Sequence, residues 1–115
     1  MSGETLKFMV LFLIPSAVMA DWAKIDAATR QASESKLMAE WQVWMAEHKA
    51  MIVSTEAAGK TRRVTAQGAS EAKNDIILYS MVEAESLEAA AKVFESHPHL
   101  QIPQASIEVM AVRPM

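Results

Sequence analysis

The chain has no cysteine in its 115 residues. That excludes disulfides, thiolate metal sites and cysteine nucleophiles together, and it fits a reducing compartment. Glycine is scarce, with three in all, and no Walker loop, dinucleotide-binding glycine pattern, serine elbow or HExxH motif is present. Most NTPases, familiar nicotinamide enzymes and common hydrolases are thereby set aside. A formal charge of −3 gives no electrostatic case for nucleic acid or an anionic membrane as partner. The longest unbroken apolar run covers only residues 8–14, far too short to span a bilayer.

What is present is ordinary globular material. Half of the residues are hydrophobic and 22% are charged, so one domain over residues 1–115 can build a core without staples. Residues 1–5 are polar and expected to fray. The nine methionines read as adaptable core filling rather than an interaction groove. The N-terminus imitates a signal peptide, with Lys7 before the run Phe8 to Ile14 and small residues at Ala17 and Ala20. Against export, Glu4 and Lys7 carry opposite charges, the apolar run is short, and its removal deletes a strand the fold needs. The expected compartment is the cytoplasm.

Residues 6–14 are apolar on both faces, with Phe8, Val10, Phe12 and Ile14 on one and Met9, Leu11 and Leu13 on the other. Such a strand belongs in the middle of a sheet, covered on both sides. After Pro15, residues 17–29 and about 33–50 read as two helices, the second carrying a stripe of Leu37, Trp41, Trp44, His48 and Met51. Residues 51–54 have the composition of a short strand, and residues 59–66 read as a charged edge strand turning back at residues 67–70. Residues 76–82 form a second two-faced central strand. A helix over residues 86–96 ends before Pro98, and residues 106–112 close the sheet.

This β-α-β-β-α-β order predicts an α+β ferredoxin-like sandwich with an antiparallel sheet and a two-part first helical region. Helices then cover one face of the sheet, and the other exposes a contiguous apolar patch. A two-fold homodimer packing open face on open face is the expected remedy.

The residues also carry a resemblance. Tyr79-Ser80, the segment Val82-Glu83-Ala84-Glu85-Ser86, the turn His97-Pro98-His99-Leu100 and Ser106-Ile107-Glu108-Val109 resemble the YCII-related family, and more closely its DGPF branch. The opening strand and the hairpin between Gly59 and Gly68 match in position, so the resemblance spans nearly the whole chain. It implies the ferredoxin-like fold and dimers of the α/β-barrel type. Where the branch has Asp-Gly-Pro-Phe, this chain has Gln67-Gly68-Ala69-Ser70. The Asp–His pair proposed as catalytic in some members has no match here, and the family's activity is largely unassigned.

Three histidines are the candidates for chemistry. His97 and His99 flank Pro98, and two residues apart on an extended segment they face one way, which suits an anion or a metal. Two histidines are a weak metal signal, because zinc wants three or four ligands; punctuation of the helix end is the plainer reading, and no metal or cofactor is expected. His48 lies on the apolar stripe, where a partly buried side chain is commoner than a general acid or base. Trp22, Trp44 and Tyr79 are candidate walls of an aromatic pocket, with Trp41 read as core. Lys60, Arg62 and Arg63 form a basic cluster, with Arg63 the candidate ligand contact and a solvated edge the plainer reading. The sequence therefore predicts a small organic ligand in a sheet–helix cleft, with His48, His97 or His99 as acid–base candidates, and leaves open whether the chain is an enzyme. The alternative is a non-catalytic interaction or regulatory module.

Overall fold

The computed structural model describes residues 5–115, so the expected fraying of residues 1–5 falls, but for Thr5, outside the described residues. The elements are β1 (Leu6–Leu13), α1 (Ser16–Ala23), α2 (Ala27–Glu47), β2 (Ile52–Ala57), β3 (Thr61–Thr65), β4 (Gly68–Ala72), β5 (Ile76–Ala84), α3 (Leu87–Phe94), a 3₁₀ turn (Pro98–Gln101) and β6 (Ser106–Ala111). Four strands make one sheet in the order β2-β5-β1-β6, with every pairing antiparallel. This is the ferredoxin-like arrangement, with the first and third strands of the motif central as their two apolar faces require.

Strand alternation sorts the sheet. Phe8 pairs with Val82, Val10 with Ser80 and Phe12 with Leu78, and this face meets the helices. The core is Phe8, Val10, Phe12, Trp44, Val82, Ala90 and Phe94. Ser80 is buried among them, and its hydroxyl is satisfied by Thr55 Oγ1 at 2.7 Å on the neighbouring strand. On the other face Met9 pairs with Met81 and with Met110, while Leu11 pairs with Tyr79 and with Glu108. Met9, Leu11, Leu13, Tyr79 and Met81 are only half-buried, and Met110 is exposed. The radius of gyration is 16.3 Å, against about 13 Å for a compact chain of this length.

Two boundaries differ from expectation. The first helical region breaks at Lys24 to Asp26, not after residue 29, because Asp26 is an N-cap. Its carboxylate accepts from the Thr29 amide at 3.0 Å and from the Thr29 hydroxyl at 2.7 Å. Arg30 closes the end of α1 by donating to the carbonyls of Ala23 and Ile25, at 3.2 and 3.3 Å. The second difference is larger. The edge of the main sheet is Ile52–Ala57, and the charged segment pairs only with β4 in a separate two-stranded hairpin. Pairing to β5 finishes where the Ala58 amide donates to the Ile77 carbonyl at 2.9 Å, and Asn74 donates to Thr61 Oγ1 at 3.3 Å across the hairpin base. Gly68, at φ +126°, supplies the turn conformation that other residues rarely adopt.

Among the described residues, no helix is long and apolar enough to cross a membrane. Phe12 packs among four rings, with Trp41 at 5.4 Å, Phe94 at 6.1 Å, His97 at 5.1 Å and His99 at 5.4 Å between ring centroids. Phe12→Ala is expected to cost about 3–5 kcal/mol, read as a lower denaturant midpoint at unchanged slope.

Candidate functional site

The His-Pro-His turn is built by the end of α3. Pro98 stops the helix, and His97 caps the 3₁₀ turn by accepting from the His99 amide at 2.9 Å through Nδ1. An accepting Nδ1 leaves the proton of a neutral His97 ring on Nε2. His99 does the converse. Its Nε2–H donates to the carbonyls of Leu13 at 3.0 Å and Ser106 at 3.2 Å, which fixes the same tautomer. Leu13 and Ser106 are themselves cross-strand partners at the ends of β1 and β6.

Both rings are inside. His97 and His99 are 2% and 0% exposed, and the His97 ring sits 4.4 Å from both Trp41 and Trp44. Burial pushes the His97 ring down from 6.5 to about 4, with His99 and His48 adding smaller repulsions. Burial also lowers His99, partly offset by its bonds to the Leu13 and Ser106 carbonyls. Trp44 Nε1, His97 Nε2 and His99 Nδ1 are buried without a hydrogen-bond partner among the described residues. The two rings thus spend one nitrogen each on backbone partners. Among the described residues no group of three or more His, Cys, Asp or Glu is placed to hold a metal ion. His48 caps α2, donates from Nδ1 to the Trp44 carbonyl at 2.8 Å, and stacks on Trp44 at 4.2 Å.

Two clefts lie elsewhere, on either side of α1. The first, about 610 Å³, is framed by the end of β1, by α1 and α2, and by the loop after the 3₁₀ turn. Ile14, Trp22, Leu37 and Ile102 supply apolar wall, and Glu34, Lys36 and Gln104 bring polar groups to it. Trp22 Nε1 donates to Glu34 Oε2 at 2.9 Å, which holds the indole across the α1–α2 gap. Gln104 is the single non-glycine residue with positive φ among those described, at 61°, a conformation that turns the chain toward β6 at some steric cost. The second cleft, about 1200 Å³, is open and lies between α1 and the β3–β4 hairpin.

Of the sequence candidates, Trp22 lines the smaller cleft, and Lys60 and Arg62 of the basic cluster line the larger one. Trp44 is in the core at 4% exposure. Tyr79 lies on the opposite face of the sheet, one step out of phase with buried Ser80, and donates to Glu56 at 3.2 Å. Arg63 is exposed on the hairpin, facing away from Arg62. The grouping of Trp22, Trp44, Tyr79 and Arg63 into one pocket is therefore not what the fold builds. Leu37, Ile102 and Gln104 escaped sequence reading. Leu37 carried a signal, standing on the α2 stripe four residues before Trp41, whereas nothing in the sequence singles out Gln104.

No protein-family model matches the chain, and no curated protein does. Among solved structures, the chain is similar to 5-chloro-2-hydroxyhydroquinone dehydrochlorinase (TftG) from Burkholderia phenoliruptrix AC1100, in its complex with 2,5-dihydroxybenzoquinone. The match has a TM-score of 0.51 at 16% identity and covers 96% of this chain and 95% of that one. At that identity the likeness is one of fold, and it agrees with the ferredoxin-like topology.

The buried rings make a pH prediction. The unfolded chain takes up a proton near 6.5 while folded His97 resists it to about 4, so the unfolded state binds more protons in that interval. Stability is expected to be full above pH 6.5 and to fall as pH drops toward 4, by roughly 3 kcal/mol from this ring alone. His97→Asn retains an acceptor for the His99 amide. It should show a shallower acid slope in urea titrations than the parent protein, whatever its stability at neutral pH.

Proposed function

We propose that the chain is a YCII-related protein that acts as a cytoplasmic homodimer and binds a small, largely apolar organic molecule in the cleft beside Trp22. The observation that carries this reading is the cleft itself. Its volume of about 610 Å³ falls within the usual range for small-molecule sites, with an apolar wall and a few polar groups at its rim. Its position at the end of the central strand, between sheet and helices, agrees with a cleft site expected from sequence. The structural neighbour's complex with 2,5-dihydroxybenzoquinone makes hydroxylated aromatic compounds the first class to try.

Dimerisation is part of the proposal. Met9, Leu11, Tyr79, Met81 and Met110 form a continuous apolar field on the uncovered face, with Glu108, Glu56 and the Lys7–Glu83 pair around it. A second copy turned by a two-fold axis sets this self-complementary field against itself. Supporting the cytoplasmic reading, the run that imitates a signal peptide supplies Phe8, Val10 and Phe12 to the core.

Binding is favoured over histidine acid–base catalysis. His97 and His99 are sealed in the core, and His48 lines neither cleft. The same burial favours the second reading, an interaction module without a ligand site, and one screen separates the two. A thermal-shift screen with hydroxylated benzenes and quinones should yield stabilisers, about 2.7 kcal/mol at a hundredfold excess over Kd. Trp22→Ala and Leu37→Asp should abolish that stabilisation. No stabiliser in a broad library would favour the module. For the dimer, light scattering at micromolar concentration should give twice the monomer mass, and Leu11→Asp should give the monomer.

A further inference from the structure

The large open cleft on the other side of α1 differs in kind from the one beside Trp22. Three cations line it: Lys60 and Arg62 from the hairpin's first strand region, and Lys73 beyond its second. Glu71 is the one carboxylate in the lining, and it stands directly across the ladder from Arg62. Even with that charge set against one guanidinium, the cleft keeps an excess of positive charge in a chain whose formal charge is −3. The ion pairs found among the described residues, Lys24 with Asp21 and Lys36 with Glu40, lie elsewhere. Lys60, just before β3, and Arg62 within it both line this cleft, so the two act on one volume.

The rest of the lining supplies an apolar wall. Ile14, Met19 and Ile77 belong to it. A purely inorganic anion leaves that wall unused, and a neutral apolar molecule leaves the cations with nothing to bind. We propose that the cleft between α1 and the β3–β4 hairpin is a second binding site, for a small organic anion in which a carboxylate or phenolate is carried on an apolar body. The anionic group is held by Arg62 and Lys73, with Lys60 adding charge, and the body lies against Ile14, Met19 and Ile77. Guanidinium gives two parallel donors to a carboxylate, so Arg62 supplies orientation as well as attraction. The site is separate from the cleft beside Trp22, although Ile14 and Met19 contribute to both.

Benzoate is the probe, with benzyl alcohol as its neutral counterpart of similar shape and inorganic phosphate as the anion without a body. In low salt, titration followed by backbone amide shifts should show saturable benzoate binding centred on residues 60–73 and the start of α1. Benzyl alcohol and phosphate should each bind at least about tenfold more weakly, the scale of one lost charge-assisted contact. The double variant R62Q/K73Q should weaken benzoate by about tenfold or more, and Glu71→Gln should tighten it. These side chains are on the hairpin and outside the core, so folding is kept. Absence of saturable benzoate binding overturns the proposal, as does equal binding of benzyl alcohol or of phosphate. Binding unchanged in R62Q/K73Q but lost in Trp22→Ala would assign the anion to the other cleft and overturn this site while leaving the first intact.

Discussion

One buried imidazole fixes how the sheet meets its helices. His99 donates to the carbonyls of Leu13 and Ser106 at once, so a single ring holds the end of β1 to the start of β6. Its faces and edges pack against Phe12 and Trp41, which ties the same point to α2. His97 then holds the turn in shape by accepting from the His99 amide. A buried polar ring is costly unless its atoms are paired, and here the cost is partly offset by backbone groups that have lost their water anyway. The turn is for this reason a structural joint, and the cleft beside Trp22 depends on the loop it launches, residues 101–104.

The second constraint is the two-faced central pair β1 and β5. Helices α2 and α3 cover one face through Trp44, Ala90 and Phe94. Among the described residues, nothing covers Met9, Leu11, Tyr79 and Met81 beyond half-burial. Helix α1, which buries no residue, stands away from this core with an open cleft on each side. The chain therefore divides its work. The core combines aromatic rings and small aliphatic side chains with two buried histidines, and the accessible polar groups are distributed over surfaces flanking α1 and the hairpin.

Much of this was legible from residue order. The two-faced strands, the helix ended by Pro98 and the ferredoxin-like order follow from periodicity and punctuation alone. The misread places have physical causes. Asp26 stands inside a stretch of helical composition, yet an acidic residue three before Thr29 is a cap, and it moves the helix break. A charged strand reads the same whether it edges a large sheet or forms a free hairpin, so residues 59–66 took the place of Ile52–Ala57. The pair of histidines was visible, but its burial was not. The carbonyls that receive His99 lie 86 and 7 residues away in the chain, and no local pattern reports their approach. Tyr79 and Trp22 are both aromatic with a polar atom, and only the register of β5 reveals that the sheet separates them.

The central claim is that the two histidines of the turn are neutral structural rings while ligands bind beside α1. Its most direct measurement is nitrogen-15 NMR of the imidazole rings across pH 5 to 8, resolved residue by residue. His97 is predicted to stay in the Nε2–H neutral form through that range, and His99 to titrate below the ordinary histidine value, its neutral form showing the signature of a hydrogen-bonded Nε2–H. Either ring titrating near the ordinary histidine value of about 6.5, or His99 carrying its proton on Nδ1, would contradict it.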